Sequence, residues 1–341
     1  MSGARSGEIG IVLVNWNRWQ DSIECLESMF RSTIPVRVVV VDNASSDNSL
    51  DHIAAWAAGT AAAVPAAAAM AGYSQPPMRK PIACERFTAA DMAGRRPDPA
   101  VRLTLIDSGG NLGFAGGNNV GLRWLLAQPQ LDTFWLLNND TVIDRNAAAA
   151  VQHRMAATDR AGMCGTVVRY YHRPDRVQAL NGSTFDIWTG RSRGIGMGQP
   201  AKAPFDPLKV ARETDFVLGA SIAVSRAFLD AIGPMDEGYF LYYEELDWAW
   251  RNRGRFAIAF AHGAVVFHKE GGSIGSSGTG DRSAFSEYWL ARSRLRFIAR
   301  HRVILWPWYW LLTAAAAAAR LLRGRPARAA ALLRALFGLK Y

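Results

Sequence analysis

The sequence predicts an α/β fold: a Rossmann-like, mostly parallel sheet flanked by helices, a small mixed β region, and C-terminal helices of amphipathic and apolar character. Three observations carry this expectation. β-rich runs alternate with helical patterns through the first half of the chain, the pattern of a parallel sheet covered by helices. Each of those runs closes on a polar residue. From about residue 284 onward the chain reads as helical, apolar and basic.

The elements follow in order. IGIVLV (9–14) is a buried-strand pattern, after which Ile23, Leu26, Met29 and Phe30 recur at helical spacing. VRVVVVD (36–42) predicts the second strand and SSDNSLDHIAAW a capped helix. VRLTLID (101–107) is a third strand, followed by the loop SGGNLGFAGGNN (108–119) and a helix around NVGLRWLLA. TFWLLNND (133–140) ends a fourth strand in polar residues, and a helix resumes after Asp144. The Ala/Pro-rich stretch 57–100 shows no periodicity and reads as a surface insertion, poorly ordered in places. Short β-like runs and glycines between 160 and 235 predict a smaller mixed region. YFLYYEELDWAWRNRG then opens a helix on an acidic cluster, and FAIAFAHGAVVFH predicts two short strands.

With 341 residues, half of them hydrophobic, the chain can bury a full core. Cys25, Cys84 and Cys164 are odd in number and widely spaced, which argues against a disulfide framework or a zinc site and for a reducing cytoplasm. The first apolar run is only a strand long, so no signal peptide or anchor is read at the N-terminus. The net charge of +10 sits in the tail: from residue 281 on there are 12 Lys or Arg against Asp281 and Glu287, leaving 27 bases and 27 acids before it. A neutral body with a basic, Trp-rich tail suits anionic lipid and excludes a nucleic-acid reader. The expected division is therefore a catalytic domain over 1–283 and a membrane-associating tail over 284–341.

In an open parallel sheet, ligands bind outside the carboxyl ends of the strands. Asn15 and Asn17 follow the first strand, Asp42 and Asn43 the second, Asp107 the third, and Asn138, Asn139 and Asp140 the fourth. A lone Asn or Asp there is an ordinary turn former. Four in succession argue for a shared site. The loop 108–119 lies before a helix, where free backbone N–H groups favour phosphate, and Gly110, Gly113, Gly116 and Gly117 would let the backbone approach a ligand. A dinucleotide-binding G-x-G-x-x-G is missing, since the first strand leads into NWNRW. Asp140 can hold Mg²⁺ or Mn²⁺, hard ions bound through one or two carboxylates plus substrate phosphates. His268, after a strand and before a glycine-rich loop, suits a second metal ligand. Glu244, Glu245 and Asp247 crowd among Tyr242, Tyr243, Trp248 and Trp250. Partial burial there would raise a carboxylate's pKa and prepare a general base.

Together VNWN (14–17), VVVDNASSDNS (39–49), NLGFAGGNNVGL (111–122), LLNNDT (136–141), DFVLGAS (215–221), EELDWAWR (244–251) and HKEGGS (268–273) resemble the inverting family 2 glycosyltransferases, which have a GT-A fold. The likeness is to their bacterial rhamnosyltransferase-like branch, over about 10–275. The resemblance implies a cytosolic enzyme, peripheral or weakly anchored at the inner membrane's cytoplasmic face. It would move a sugar from a nucleotide-diphosphate donor, dTDP-rhamnose by branch, to a polyprenyl-linked or polysaccharide acceptor in cell-surface glycan synthesis. It places Asn15, Asn17 and Asp42 around the nucleoside, and Gly113, Phe114, Ala115, Gly116 and Asn118 around the ribose and diphosphate. Asn43, Asn111, Asn138 and Asn139 then belong to the donor site, Asp140 with His268 to the metal. The family's DxD is NND here, and its acidic motif makes Glu245 the base, with Glu244 and Asp247 as alternatives.

Rival readings are a UDP- or GDP-sugar transferase of the same fold, a sugar nucleotidyltransferase, and a non-catalytic nucleotide-sugar binder. A nucleotidyltransferase requires an N-terminal glycine-rich signature with a catalytic Lys or Arg, and between Ile9 and Arg31 the only basic residues are Arg18 and the terminal Arg31, outside any such signature. In the tail, VILWPWYWLLTAAAAAA (303–319) is an uncharged run whose helix would be about 25 Å long, short of a bilayer core of about 30 Å. The expectation is docking on an anionic membrane surface. The competing expectation is a helical pair folded back on the catalytic domain.

Overall fold

A computed structural model describes residues 7–269 and 283–341. The chain runs β1 (Ile9–Asn15), α1 (Trp19–Phe30), β2 (Val36–Asp42), α2 (Ser49–Ala58), α3 (Ala71–Ser74) and β3 (Cys84–Thr88). Next come β4 (Leu103–Asp107), α4 (Gly113–Leu126), β5 (Thr133–Asn138), β6 (Thr141–Ile143) and α5 (Ala147–Ala157). The mixed region holds β7 (Ala161–Tyr170), β8 (Arg173–Leu180), β9 (Gly182–Asp186), β10 (Arg191–Gly194), α6 (Pro207–Glu213), β11 (Phe216–Val217), β12 (Ser221–Ser225) and α7 (Arg226–Ile232). Then follow α8 (Glu244–Asn252), β13 (Ala257–His268), α9 (Ala284–His301), α10 (Trp306–Leu322) and α11 (Pro326–Leu336).

Among the described residues, ten strands form one sheet in the order β3-β4-β2-β1-β5-β12-β7-β13-β6, with β8 paired to β7. The five strands from β3 to β5 are mutually parallel. Their register sets Asn15 beside Asp42, Asp42 beside Asp107, and Val14 beside Asn138. The valine run of β2 is apolar throughout because both its faces are covered. Val36, Val38 and Val40 join one core with Ile23, Leu26 and Trp56, while Val39 and Val41 join the other with Val120 and Leu125. Each such side chain contributes about 1.5–3 kcal/mol by leaving water. A second, three-stranded sheet has the order β10-β9-β11.

Several local expectations need correction. The segment FAIAFAHGAVVFH is one strand, β13, whose register on β7 slips between Ala261 and Val265. The slip turns His262 and Gly263 out to solvent, which reads in the sequence as a break. α2 has no side-chain cap; Asn48 occupies the cap position at φ 55 and Ser49 donates to Asp47 instead. The stretch 57–100 is tied down rather than loose. β3 extends the sheet beside β4, and Met70 packs with Val142, Tyr171 and Phe267. Glu27, buried on α1, accepts from Trp56 Nε1 at 2.8 Å and from Lys80 Nζ at 3.1 Å.

The tail folds back on the body. Phe297 of α9 meets Phe185, Tyr243 and Trp250, and Tyr309 of α10 is buried in the same core. Arg302 ends α9 and Val303–Leu305 form a short 3-10 turn, so the uncharged run is not one helix. Among the described residues, no helix is long and apolar enough to cross a membrane.

Candidate active site

At the carboxyl ends of β1 and β2 the side chains close a network around Asp42. Asn15 Nδ2 donates to Asp42 Oδ1 at 2.7 Å, Ser45 Oγ to the same oxygen at 2.6 Å, and Ser45 N to Oδ2 at 2.9 Å. Asn15 Oδ1 accepts from Ser22 Oγ at 2.6 Å and from Asn139 Nδ2 at 3.2 Å. Asn15 and Asn139 therefore brace β1 against α1 and the turn after β5. Asn17 is left-handed, at φ 59, and its Oδ1 receives Ser46 N at 2.9 Å. Ser45 had no signal beyond its place in the NASSDNS run, yet it bonds Asn15, Asn17 and Asp42 together.

The glycine-rich segment is more helix than loop. α4 begins at Gly113, so Gly113, Phe114, Ala115, Gly116 and Asn118 are helical. Asn111 Oδ1 accepts from Gly113 N at 3.0 Å, Asn43 Nδ2 donates to Gly113 O at 2.9 Å, and Asn118 Nδ2 donates to Phe114 O at 2.9 Å. A Cβ on Gly116 would come 2.7 Å from Leu112 Cβ, and one on Gly117 2.8 Å from Val14 Cγ1. These two glycines make room for the chain's own packing. Gly110 has nothing within 4 Å of a Cβ, which leaves its backbone open to a ligand. Asn43 Oδ1 is buried with no hydrogen-bond partner among the described residues. An acceptor left in that state at a strand end is open to a ligand N–H.

After β5 the chain turns into β6, and β13 returns beside it. This brings His268 Nε2 to 3.2 Å from Asp140 Oδ1 and 3.3 Å from Asn138 Nδ2. His268 Nδ1 donates to Gln178 Oε1 at 2.9 Å, so in the neutral ring Nε2 carries the lone pair facing Asp140. Burial pushes the Asp140 pKa up, but a protonated His268 donating from Nε2 outweighs it, with help from Lys269, and the net shift is downward. Two ligands on adjacent octahedral positions at about 2.1 Å from an ion lie about 3 Å apart, so this pair fits the edge of such a site. No group of three or more His, Cys, Asp or Glu able to hold a metal occurs among the described residues. A two-ligand site completed by phosphate is the form these residues fit. Lys269, unremarked in the sequence, is engaged by Asp21 at 2.5 Å and Glu24 at 2.6 Å. Glu270 to Ser273 of the HKEGGS motif lie outside the described residues.

The acidic cluster separates into two kinds of carboxylate. Tyr242 and Tyr243 stand at φ 67 and 71, an unfavourable conformation for bulky residues, and launch α8. Glu245 Oε1 faces Gly219, where a Cβ would be 3.1 Å away. The adjoining Ala220 O accepts from Asn138 N at 3.1 Å, so Glu245 stands beside the turn that pairs with the end of β5. Burial raises the Glu245 pKa to about 7. Glu244 is raised well above the usual range by burial and by its neighbour Glu245. Asp247 points elsewhere. It is fully buried, accepting from Arg251 Nε at 2.8 Å and Tyr239 OH at 3.3 Å, with His301 Nε2 at 2.8 Å. Burial pushes its pKa up, yet His301 and Arg251 bring the net shift down. It serves as an ionic anchor between α8 and α9.

A cavity of about 670 Å³, lined by Asp132, Thr133, Arg160, Arg226 and Phe256 among others, lies at the amino ends of β5 and β7. Arg226 spends its guanidinium on the carbonyls of Leu126, Gln128 and Leu131. That end carries none of the strand-end residues above.

No family model matches the chain. Over 149 residues it is 27% identical to the low-salt glycan biosynthesis hexosyltransferase Agl10 of Haloferax volcanii, a match covering 43% of this chain and 45% of that protein. The chain thus spans less than half the length of that relative. The mannosyltransferase PcManGT from Pyrobaculum calidifontis, solved in complex with GDP-Man and Mn²⁺, aligns with a TM-score of 0.50 at 14% identity, over 98% of this chain and 89% of that one. S. aureus TarS 1-349 in complex with UDP-GlcNAc aligns at 0.47 and 15% identity, over 86% and 67%. The mostly parallel mixed sheet flanked by helices is therefore a GT-A-like glycosyltransferase fold.

Proposed function

We propose that this chain is a hexosyltransferase, moving a sugar from a nucleotide-diphosphate donor to an acceptor hydroxyl with inversion and in a metal-dependent way. One observation carries the reading: the Asp140–His268 pair stands 3.2 Å apart at the carboxyl edge of the parallel strands, and the half-buried Glu245 faces Gly219, next to the Ala220 whose carbonyl accepts from Asn138 N at the end of β5. The Agl10 relative is a hexosyltransferase by name, which supports the same class.

Asp140 and His268 Nε2 would hold Mg²⁺ or Mn²⁺, and the ion would supply the positive charge that stabilises a departing diphosphate. Asn43 Oδ1 offers its acceptor to the nucleoside, and Asp42 keeps its geometry through Asn15 and Ser45. Glu245, ionised above about pH 7, takes the proton from the acceptor hydroxyl as its oxygen attacks the anomeric carbon. Attack from the side opposite the leaving diphosphate inverts that carbon. The branch resemblance makes dTDP-rhamnose the first donor to try and a polyprenyl-linked or polysaccharide glycan the acceptor.

Donor hydrolysis over a panel of dTDP-, UDP- and GDP-sugars, with Mn²⁺ and without acceptor, tests this. Metal-dependent release of the nucleoside diphosphate from one donor is the expected result. Binding of donors with no release from any of them would leave a nucleotide-sugar binder instead.

A further inference from the structure

The tail's apolar exposure is organised, and it extends beyond the tail. Ile304, Trp308, Leu311, Ala315, Ala318 and Leu322 recur at alternating steps of four and three and are all exposed, Ile304 by 86% and Leu322 by 90%. On the opposite face Tyr309, Thr313 and Ala317 are buried. One side of α10 is thus committed to the body and the other, with Ile304 just before it, is exposed along its length.

The turn between β9 and β10 joins that outer side. Trp308 Nε1 donates to Trp188 O at 2.9 Å and Tyr309 OH to Ile187 O at 2.6 Å. A Cβ on Gly190 would come 2.8 Å from the Tyr309 ring, so turn and helix fit closely. Trp188 itself is 66% exposed. The Trp308 indole thus holds the Trp188 backbone although the two residues are far apart in sequence.

We propose that α10 and the β9–β10 turn form one docking face for an anionic lipid bilayer, with Trp188 and Trp308 at the headgroup level and the helix lying in the interface plane. Charge selects this occupant over a second copy of the chain. After Glu287 the sequence has 11 Lys or Arg and no acid, and Arg302, Arg323 and Arg325 flank the stripe in exposed positions, as Arg191 and Arg193 do on the hairpin. Two copies meeting on this stripe would bring like charges together. An anionic surface neutralises them, and indoles favour the membrane–water boundary. α10 has 17 residues and one face already packed, so it lies on a bilayer and does not cross it.

The full chain and three variants are sedimented with vesicles of phosphatidylglycerol and phosphatidylcholine in equal parts, and with phosphatidylcholine alone. The chain should pellet with the mixed vesicles only. Trp188→Asp and Leu311→Asp should each weaken partition about tenfold or more, as expected from losing one interfacial apolar side chain and adding a like charge to the lipid. Leu208→Asp, at an equally exposed leucine on α6, which packs against β13, should bind as wild type. Donor hydrolysis in solution should be equal in all four, which separates this proposal from the assigned reaction. Normal binding by Trp188→Asp overturns the composite face, as does equal loss in Leu208→Asp. Failure of the wild type to bind, with light scattering showing a dimer that Leu311→Asp dissociates, assigns the stripe to a second copy and overturns the proposal.

Discussion

Gln178 sets the tautomer of His268. Its Oε1 can only accept, so at 2.9 Å from Nδ1 it fixes a proton there and, in the neutral ring, turns the Nε2 lone pair toward Asp140, 3.2 Å away. A lone pair and a carboxylate facing one another are stabilised by a cation. Mn²⁺ binding measured by calorimetry should vanish in Asp140→Asn and weaken on the order of 10- to 100-fold in Gln178→Leu, the usual effect of removing such a support. Unchanged affinity in Gln178→Leu would sink the assignment. Turnover should likewise stop in EDTA and return with Mg²⁺ or Mn²⁺.

Glu245 is the second test. Glu245→Gln should lower kcat by on the order of 10² to 10⁴ while the donor KM stays near normal. Glu244 is raised well above the ordinary carboxylate range by burial and by Glu245, and since Glu245 is the residue whose Oε1 faces Gly219, Glu244→Gln should retain most of the activity. Equal losses in both variants would mean that the pair acts as a unit.

The same burial gives a pH dependence of stability. Between the ordinary carboxylate range and about 7, the folded chain holds a proton on Glu245 that the unfolded chain has released. Stability therefore falls as pH rises through that window. Activity moves the other way, since the base must be ionised, and should decline below about pH 7. Melting curves of Glu245→Gln should show a higher Tm than wild type at pH values above that window, with a flatter dependence through it; a lower Tm there would contradict the burial argument.

Asp247 separates stability from chemistry. Its carboxylate is surrounded by Arg251, His301 and Arg300, and Arg300 also pairs with Asp236. Asp247→Asn leaves the Arg251 and Arg300 guanidinium groups without this carboxylate in a buried site and should destabilise the fold by about 3–5 kcal/mol. Because the net pKa shift is downward, the stabilisation is present above the ordinary carboxylate range and is lost as pH falls through the folded-state value. At a temperature where the variant remains folded, kcat should stay within an order of magnitude of wild type. Loss of chemistry equal to that of Glu245→Gln would return Asp247 to the base role.

The strands and their polar ends were legible because both depend on local pattern: VRVVVVD can only be a strand covered on two faces. The acidic cluster and Asp140 were legible by type and spacing. What escaped depended on long-range partners. Gln178 carries no motif and matters through His268, 90 residues away. β3 buries little more than Phe87, so CERFT has no apolar alternation to read. Asp247 looked like a third candidate base because its partners His301 and Arg300 belong to the tail, where sequence spacing gives no hint of a return.

Gly113 offers a test of how the donor edge is built. It stands at φ +71, and a Cβ there would fall inside van der Waals contact with the carbonyl oxygen of Phe240. That same oxygen receives Phe114 N at 3.0 Å, while Gly113 O accepts from Asn43 Nδ2 at 2.9 Å. Gly113→Ala would add about 1–2 kcal/mol of left-handed backbone strain. Displacing Phe240 O or Gly113 O would remove up to two hydrogen bonds of about 1 kcal/mol each. A loss on the order of 3 kcal/mol in urea unfolding is expected, together with a raised donor KM, because Asn43 loses the partner that orients it. Gly110→Ala, three residues earlier with open space around its Cβ, should change stability by less than about 0.5 kcal/mol. If it nonetheless raises KM, the backbone at 110 approaches the donor. Equal tolerance of both substitutions would show that the α4 start is not seated on Phe240 as described.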